Sequence, residues 1–173
     1  QDAELLISHN VQFQWLNDGC GDFDGYLATF AADKRRKVRA ERRRVSESGL
    51  AIEVRHGDEV DPAEWPALHL LYASTFEKFN NHAVFTAPCF AELARALGRR
   101  MVLFIARDAG QPVALSLCFR SDQVLYGRYW GCNGNYHSLH FELCFYQGIA
   151  YCLREGLQRF EPVAGGEHKI ARG

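Results

Sequence analysis

Three short runs of β-forming residues, separated by only a few residues each, constrain the fold of this chain more than any other feature. The runs cover residues 101–107, 112–119 and 123–130, and the residues between them, Asp108-Ala109-Gly110 and Arg120-Ser121-Asp122, have turn composition. Connections this short join neighbouring strands that run in opposite directions. The sequence therefore predicts an antiparallel meander.

A helix and one more strand follow the meander. A glycine-bearing turn over 131–137 leads into a largely apolar helix, 138–157, and then into a short strand at 159–163. A helix that crosses a sheet returns the chain beside the strand it left. The last strand is therefore expected to extend the same sheet.

Two helices, 62–80 and 86–97, lie between an earlier strand at 50–55 and the meander. The element order from residue 50 is thus β-α-α-β-β-β-α-β. This order predicts an α/β (α+β) fold in which helices flank a mixed sheet with an antiparallel meander.

A strand ending at Trp15 and a helix over 23–46 come before this order. We predict two parts, an N-terminal strand and basic helix over 1–49 and a main domain over 50–173. The chain begins with Gln1 and ends without a turn or tail. We expect it to be a piece of a longer protein, whose preceding segment continues into residue 1.

The predicted N-terminal helix carries a concentrated positive charge. Residues 34–44 hold eight bases and one acid, whereas the whole chain has a formal net charge of −1. Arg35, Arg39 and Arg42 recur at helical spacing. A solvated helix face and a binding site for a polyanion, such as tRNA or a phosphorylated ligand, explain this pattern equally well.

Composition argues against a membrane protein and against a metal-binding protein. No apolar run approaches the roughly 20 residues that a membrane helix needs, so no membrane span is expected. The six cysteines include no C-x-x-C pair, and no three metal-ligating residues cluster in sequence, so we predict no metal site. Cysteines among apolar neighbours are typical of a reduced, cytoplasmic protein.

Charged and aromatic residues occur where two predicted strands end. Arg128, Tyr129 and Trp130 close the third meander strand, and Glu167-His168-Lys169 follow the last strand. Ligands of α/β sheets usually bind where strand ends face the start of a helix. We expect one cleft there, with Glu142 as a candidate ion-pair partner of Arg128. The residues expected to converge on it are Arg128, Tyr129, Glu142, Glu167, His168 and Lys169.

The element order resembles that of the GNAT acyltransferase fold. The resemblance implies that 123–130 is the fourth strand of that fold and that 138–157 is the helix that binds the acyl donor. The pyrophosphate loop of those proteins reads Arg/Gln-x-x-Gly-x-Gly/Ala, whereas Arg128-x-x-Gly131-x-x-Gly134 is one residue longer. Glu142 lies in the first turns of the helix, where its charge is expected to oppose a bound phosphate.

Four stretches resemble a particular family. In chain order, KRRKVRAERR, LYGRYWG, LHFELCFYQGI and GGEHKIARG are similar to the Fem-like family of predicted N-acyltransferases, usually labelled peptidoglycan biosynthesis or recognition. The similarity runs from about residue 11 to residue 173. Where that family usually reads GAQGEHK, this chain has VAGGEHK over 163–169. The resemblance implies transfer of an acyl or aminoacyl group to an amine. A cell-wall precursor is one candidate acceptor, and acyl-CoA and aminoacyl-tRNA are the candidate donors.

Acylation of an amine needs a base and hydrogen-bond donors for the oxyanion. Glu167 or His168 suits the base, and only one of them faces the site because neighbours on a strand point to opposite sides. Tyr126 is a proton donor by analogy with other acyltransferases. Substrate binding is expected of Arg128, Tyr129, Trp130, His140, Glu142, Gln147 and Lys169. A structural ion pair or a core position explains these residues nearly as well.

The predicted helix 138–157 also carries a polar stripe, His140, Cys144, Gln147 and Tyr151. Polar groups on a buried helix need partners, so the stripe either lines a cavity or bonds to the basic segment. Two further functions stay open. One is a non-catalytic module that recognises peptidoglycan or an anionic ligand, and the other is an RNA-binding domain. The oligomeric state also stays open.

Overall fold

The computed structural model describes residues 12–78 and 80–162. Its strands form one six-stranded mixed sheet in the order β1-β6-β5-β4-β3-β2. The strands are β1 (Trp15–Leu16), β2 (Ala51–His56), β3 (Met101–Asp108), β4 (Gln111–Arg120), β5 (Val124–Cys132) and β6 (Arg159–Glu161). The helices are α1 (Phe23–Ala28), α2 (Ala32–Glu47), α3 (Trp65–Lys78), α4 (Ala87–Leu97) and α5 (residues 139–155). Short 3-10 turns occupy Gly57–Glu59, Pro62–Glu64 and Gly98–Arg100.

The predicted meander is confirmed, because β3, β4 and β5 pair antiparallel in sequence order. β2 adds antiparallel to β3, and β6 pairs parallel with β5 over Val124–Tyr126. One parallel pair in an otherwise antiparallel sheet requires a crossover, which α5 supplies. The α+β fold with a mixed sheet and flanking helices is therefore confirmed.

Each face of the sheet has its own hydrophobic core. α1, α2 and α5 cover one face, where Val38, Phe104 and Leu143 belong to one buried cluster. α3 and α4 cover the other face, where Leu68 and Ile105 belong to the second cluster. The central strands are buried on both faces, which is why their sequences read as continuous apolar runs.

The N-terminal elements join the same sheet and core as the rest of the chain. Trp15 of β1 pairs with Phe160 of β6, and Val38 and Val45 of α2 are buried against the sheet. The sequence predicts a first strand that ends at Trp15, whereas the observed β1 is Trp15–Leu16. Residues 1–11 lie outside the described part.

The single helix predicted over 23–46 is wrong, because the chain breaks between α1 and α2. The Thr29 hydroxyl donates to the Tyr26 carbonyl at 2.7 Å, and Ala31 is extended with a ψ of 152°. The break lets the Phe30 ring turn back onto Tyr26, with ring centroids 4.8 Å apart. α2 therefore begins anew at Ala32 and runs in its own direction.

α5 is also less regular than predicted. It begins as Leu139–Phe141, continues as a π-helical turn over Glu142–Tyr146 and resumes as an α-helix over Gln147–Glu155. The Gln147 amide donates to the Glu142 carbonyl, five residues back. A π-turn accommodates one extra residue and often marks a functional site. Here it faces α2.

No helix in the described ranges, 12–78 and 80–162, has the length and apolar character needed to cross a membrane.

Candidate functional site

β5 has an irregularity at the residue that the sequence singled out, Arg128. Tyr129 pairs with Leu117, but the next pair along β4 joins Cys118 to Gly127, so Arg128 has no residue opposite it. This is a β-bulge, which commonly redirects side chains beside a site.

Among the described residues, the edge of β5 is unpaired beyond Tyr126, and we call this the open edge of β5. Pairing between β5 and β6 ends at Tyr126 and Glu161, whereas β5 continues to Cys132. Within the described residues, no strand pairs with this edge beyond Tyr126. Backbone groups at such an edge need partners, and a ligand can supply them.

Arg128 is exposed at the bulge. Its guanidinium carbon lies 5.1 Å from the centre of the Tyr126 ring, and the side chain donates to the Gly127 carbonyl at 3.0 Å. Stacking of Arg128 on Tyr126 leaves the guanidinium edge available to an anion. The suggested ion pair between Arg128 and Glu142 does not form.

Tyr129 and Trp130 lie on opposite faces of the sheet. Tyr129 packs on Tyr72 of α3 with ring centroids 4.9 Å apart, and burial raises the pKa of its hydroxyl. Trp130 faces α5, where its ring lies 5.1 Å from His140. The nearby charge of Arg128 opposes the effect of burial by lowering the pKa of Tyr129, and the place of Tyr129 in a common cleft with Arg128 stays a prediction.

α3 closes the far end of β5. The Thr75 hydroxyl donates to the Trp130 carbonyl, and Lys78 Nζ lies 3.5 Å from the Cys132 carbonyl. An ideal Cβ on Gly131 would lie 1.7 Å from the Leu71 carbonyl oxygen, so only glycine permits this approach.

Glu142 pairs with α2 instead of β5. Its Oε1 accepts from Arg42 Nη2 at 3.2 Å and from Gln147 Nε2 at 2.8 Å, and its Oε2 accepts from Arg42 Nε at 3.2 Å. Only 3% of Glu142 is exposed. A buried carboxylate needs a charged partner, and the planar guanidinium provides one in bidentate fashion.

The residue before Arg42 holds the other end of the π-turn. Glu41 is buried and accepts a hydrogen bond from the Tyr146 hydroxyl. Two adjacent residues of α2 thus bind Glu142 and Tyr146, the first and last residues of the turn. The basic helix is therefore a structural partner of α5.

A cleft of about 570 Å³ opens between α1, α2, β2 and the π-turn. Arg39, Arg42 and Arg43 line it, together with Glu142 and Gln147. The remaining lining residues are Phe23, Asp24, Leu27, Val45, Ser46, Leu50 and Ile52. Arg35 lies outside this cleft, beside a smaller depression of about 250 Å³ on α2.

The predicted polar stripe on α5 divides among four environments. Gln147 lines the cleft, Cys144 is buried, and His140 contacts Trp130. Tyr151 bonds His56 Nε2 at 3.0 Å and accepts from Arg120 at 2.8 Å.

The sequence did not indicate the network around Tyr151. His56 Nδ1 lies 3.0 Å from the Glu59 carboxylate, and Arg120 also pairs with Glu155 at 3.1 Å. Burial raises the pKa of Tyr151, although the hydrogen bond from Arg120 opposes this. No local pattern points to a contact between His56 and Tyr151, which are far apart in the chain.

The buried thiols are poor nucleophiles. Burial raises the pKa of Cys118 to about 12 and raises that of Cys152 further above its ordinary range. None of the six cysteines, all of which lie in the described ranges, forms a disulfide. Because the thiolate is the reactive form, chemistry at these buried sulfurs is disfavoured.

Glu167 and His168, the two candidate bases, and Lys169 all lie outside the described residues. Tyr126 forms the last described pair between β5 and β6, Arg128 is exposed at the bulge, and Trp130 of β5 contacts His140 of α5. Their roles in binding and catalysis stay predictions.

The whole sequence, residues 1–173, matches the FemAB-like family of peptidoglycan biosynthesis/recognition. This chain belongs to the FemAB-like family. The membership confirms the resemblance drawn from the four sequence stretches. None of the curated proteins matches the chain.

Three of the solved structures with similar folds are FemX, a domain of a putative synthetase and an acetyltransferase. FemX is 11% identical, with a TM-score of 0.61, over 91% of this chain and 55% of its own. The C-terminal domain of a putative lysylphosphatidylglycerol synthetase from Agrobacterium fabrum is 15% identical, with a TM-score of 0.59, over 83% of this chain and 46% of its own. An aminoglycoside acetyltransferase from an uncultured soil metagenomic sample is 15% identical, with a TM-score of 0.52, over 72% of this chain and 82% of its own.

At these identities the similarity shows the fold alone, and that fold is the GNAT-like one expected from the element order. The FemAB-like chain spans about half the length of FemX and of the synthetase domain.

Proposed function

We propose that this FemAB-like chain takes part in transferring an acyl or aminoacyl group to an amine, with a cell-wall precursor as the acceptor. The observation that carries the proposal is the edge of β5, which bulges at Arg128 and, within the part of the chain that the structure describes, has no strand partner beyond Tyr126. The family supports the cell-wall context, and the fold similarity to acyltransferases supports the reaction class.

The reaction needs three contributions from the protein. The amine nitrogen attacks the carbonyl carbon of the donor, a base takes the proton of the amine, and the leaving thiol or ribose hydroxyl receives a proton. Backbone N–H groups at the open edge of β5 suit the oxyanion, because they are fixed before the reaction begins. Tyr126, beside the bulge, suits protonation of the leaving group.

The base comes from the segment after β6 in the chain, where Glu167 and His168 are adjacent. Glu167 is our first choice, because a carboxylate becomes neutral when it takes the proton of the amine, whereas a neutral imidazole would become a cation. His168 is the alternative base, and Lys169 is proposed to bind an anionic part of the substrate.

The start of α5 suits an anionic donor better than the sequence suggested. Glu142 was expected to repel a phosphate there, but Arg42 pairs with its carboxylate. When the nearby carboxylate is paired with a cation, the backbone amides at a helix start can bind a phosphate. Acyl-CoA and aminoacyl-tRNA both present such a phosphate, and both are proposed as donors. The six free thiols fit a reducing compartment, so we place this reaction in the cytoplasm.

A tRNA donor gives the basic face of α2 a role. Arg35 and Arg39 are the residues with which to test it, because Arg42 is engaged by Glu142. We expect replacement of Arg35 and Arg39 by glutamine to weaken tRNA binding and to reduce its salt dependence. An unchanged salt dependence would leave acyl-CoA as the donor.

The experiment uses the full-length protein. Labelled acyl-CoA and aminoacyl-tRNA are each offered with an amine-bearing muropeptide precursor, and labelled product is measured. Glu167→Gln is expected to lower kcat by a factor of about 100 or more, with the thermal midpoint unchanged. Glu92→Gln, on the exposed face of α4, is the matched control and keeps full activity.

Full turnover by the Glu167→Gln protein would remove Glu167 as the base, and the same experiment on His168→Gln then tests its neighbour. No transfer by the wild-type protein, together with measurable muropeptide binding, would overturn the catalytic proposal in favour of a recognition module.

A further inference from the structure

The cleft between α1, α2, β2 and the π-turn is a second feature that could receive a ligand. None of the described residues that line it belongs to β5 or β6, so it is distinct from the open edge of β5. Its volume of about 570 Å³ is within the range of small-molecule sites. We propose that this cleft binds a phosphate monoester that carries an apolar body.

The inner wall of the cleft is apolar. Leu27 and Val45 are buried at its base, and the partly buried Leu50 and Ile52 add the β2 side. Phe23 contributes an aromatic wall, over which Arg42 stacks with its guanidinium carbon 4.3 Å from the ring centre. Water against such a wall is readily displaced by an apolar group, which gives the ligand its hydrophobic part.

The rim of the cleft is cationic. Arg39, Arg42 and Arg43 all line it, and their spacing on α2 places them on neighbouring turns of one helix face. Arg42 already binds Glu142, which leaves Arg39 and Arg43 for a ligand. Two guanidinium groups can donate to more oxygens than the two that a carboxylate offers. A phosphate monoester has three terminal oxygens and a charge near −2 at neutral pH. The rim therefore favours phosphate.

Two of these arginines can exchange their present partners at low cost. Arg39 is 59% exposed and lies 3.5 Å from Asp24, and Arg43 is 71% exposed and lies 3.8 Å from Glu47. Exposed ion pairs of this kind add little stability. Both side chains can therefore turn towards a ligand without unfolding α2.

Glu142 determines which way the ligand lies. Its buried carboxylate lines the cleft and keeps Arg42 engaged, so a phosphate at the base would find no unengaged guanidinium there. At the rim the same phosphate meets Arg39 and Arg43. The phosphate is thus placed outside and the apolar body inside.

Isothermal titration calorimetry on the chain at low ionic strength tests the proposal with n-hexyl phosphate. Three comparison ligands are titrated in the same way. Inorganic phosphate carries only the anionic group, n-hexanol carries only the apolar chain, and hexanoate carries an apolar chain with a carboxylate in place of the phosphate. We expect n-hexyl phosphate to bind at least about tenfold more tightly than any of the three, because only it uses rim and wall together.

Arg43→Gln is expected to weaken n-hexyl phosphate about tenfold, through loss of a charge-assisted hydrogen bond. Arg44→Gln removes the same charge from the next residue of α2, which does not line the cleft, and should leave the affinity within about twofold. Ile52→Ala should weaken binding several-fold by shortening the apolar wall, whereas Val54→Ala, on the same strand but outside the lining, should not. Circular dichroism verifies the fold of each variant.

Equal losses in the Arg43→Gln and Arg44→Gln proteins would overturn the proposal, since they indicate general attraction to α2. Equal affinity for inorganic phosphate and n-hexyl phosphate, or tighter binding of hexanoate, would overturn it as well. Absence of binding in the wild-type chain has the same consequence.

A lipid headgroup and a soluble metabolite can both present this chemistry. Cosedimentation with phosphatidylcholine vesicles that contain phosphatidic acid distinguishes them. Binding to these vesicles that is lost in the Arg43→Gln protein supports a lipid source, whereas binding of n-hexyl phosphate alone supports a soluble one. Either result leaves the chemistry proposed at β5 untouched, because the cleft and that edge share no described lining residue. Arg39 is common to the cleft and to the proposed tRNA contact, so the test uses Arg43, which the tRNA experiment leaves unchanged.

Discussion

Glu142 is the residue whose surroundings most change the interpretation of this FemAB-like chain. Its carboxylate is almost fully buried, and Arg42 and Gln147 bind it. Arg128 had been its expected partner, since both residues belong to the last third of the chain. Instead, the guanidinium comes from a helix a hundred positions away. Pairing of a buried charge depends on which elements pack together, and helix–helix packing brings α2 and α5 into contact.

Removal of one partner of this pair should destabilise the chain. We expect Arg42→Gln to lower the free energy of unfolding by about 2 kcal/mol, less than for a fully buried pair because 31% of the Arg42 side chain is exposed. Glu142→Gln keeps a neutral hydrogen-bonding group in place and should cost about 1 kcal/mol. Urea denaturation followed by circular dichroism measures both.

The double variant is the decisive comparison, because two coupled residues lose less together than the sum of their separate losses. Arg44→Gln serves as the control and should stay within about 0.5 kcal/mol of wild type. Strict additivity of Arg42→Gln and Glu142→Gln would show that the pair adds nothing to stability.

At the scale of the elements, α3 approaches β5 closely at Gly131. The Leu71 carbonyl of α3 lies where a Cβ on Gly131 would be, and Thr75 donates to the carbonyl of Trp130. This contact holds the far end of β5 against α3, while within the described residues no strand pairs with β5 beyond Tyr126 on the β6 side. The position of the candidate site therefore depends on the packing of a helix against a glycine.

Gly131→Ala should force α3 and β5 apart. An ideal Cβ would lie 1.7 Å from a backbone oxygen that cannot rotate away, so we expect a loss of about 3 kcal/mol in the free energy of unfolding. Gly21→Ala is the matched control, because no atom lies within 4 Å of its Cβ, and it should be nearly neutral. A thermal midpoint for Gly131→Ala equal to that of Gly21→Ala would contradict the close approach.

At the scale of the whole molecule, the N-terminal elements and the main sheet share one core. β1 extends the sheet beyond β6, and α2 buries Val38 and Val45 in the same cluster as Phe104. The division at residue 49 expected from the sequence stays a prediction about organisation. In physical terms, the described part of residues 1–49 covers one face of the sheet.

Native-state hydrogen exchange tests whether these parts open together. We expect the amides of Val38 and Val45 to exchange with free energies within about 1 kcal/mol of that of Phe104, because exposing α2 also exposes the core beneath it. Exchange of the α2 amides through an opening several kcal/mol less costly, with Phe104 still protected, would show a separate N-terminal unit.

The sequence alone determined the position and type of most elements. The meander could be predicted because strand alternation and turn residues are local signals, and the observed strands β3, β4 and β5 begin and end within two residues of the predicted runs. The family could be recognised for a similar reason, since its motifs are contiguous in the chain.

Only the tertiary structure decided which side chains share an environment. Simple alternation places Leu125 and Tyr129 on the same face of β5, but the bulge at Arg128 shifts the register, and they lie in different cores. The π-turn likewise changes which residues of α5 share a helix face, because its extra residue rotates Glu142 towards α2. Both irregularities depend on contacts between distant segments, so the chain pattern near Arg128 and Glu142 carries no local signal for them.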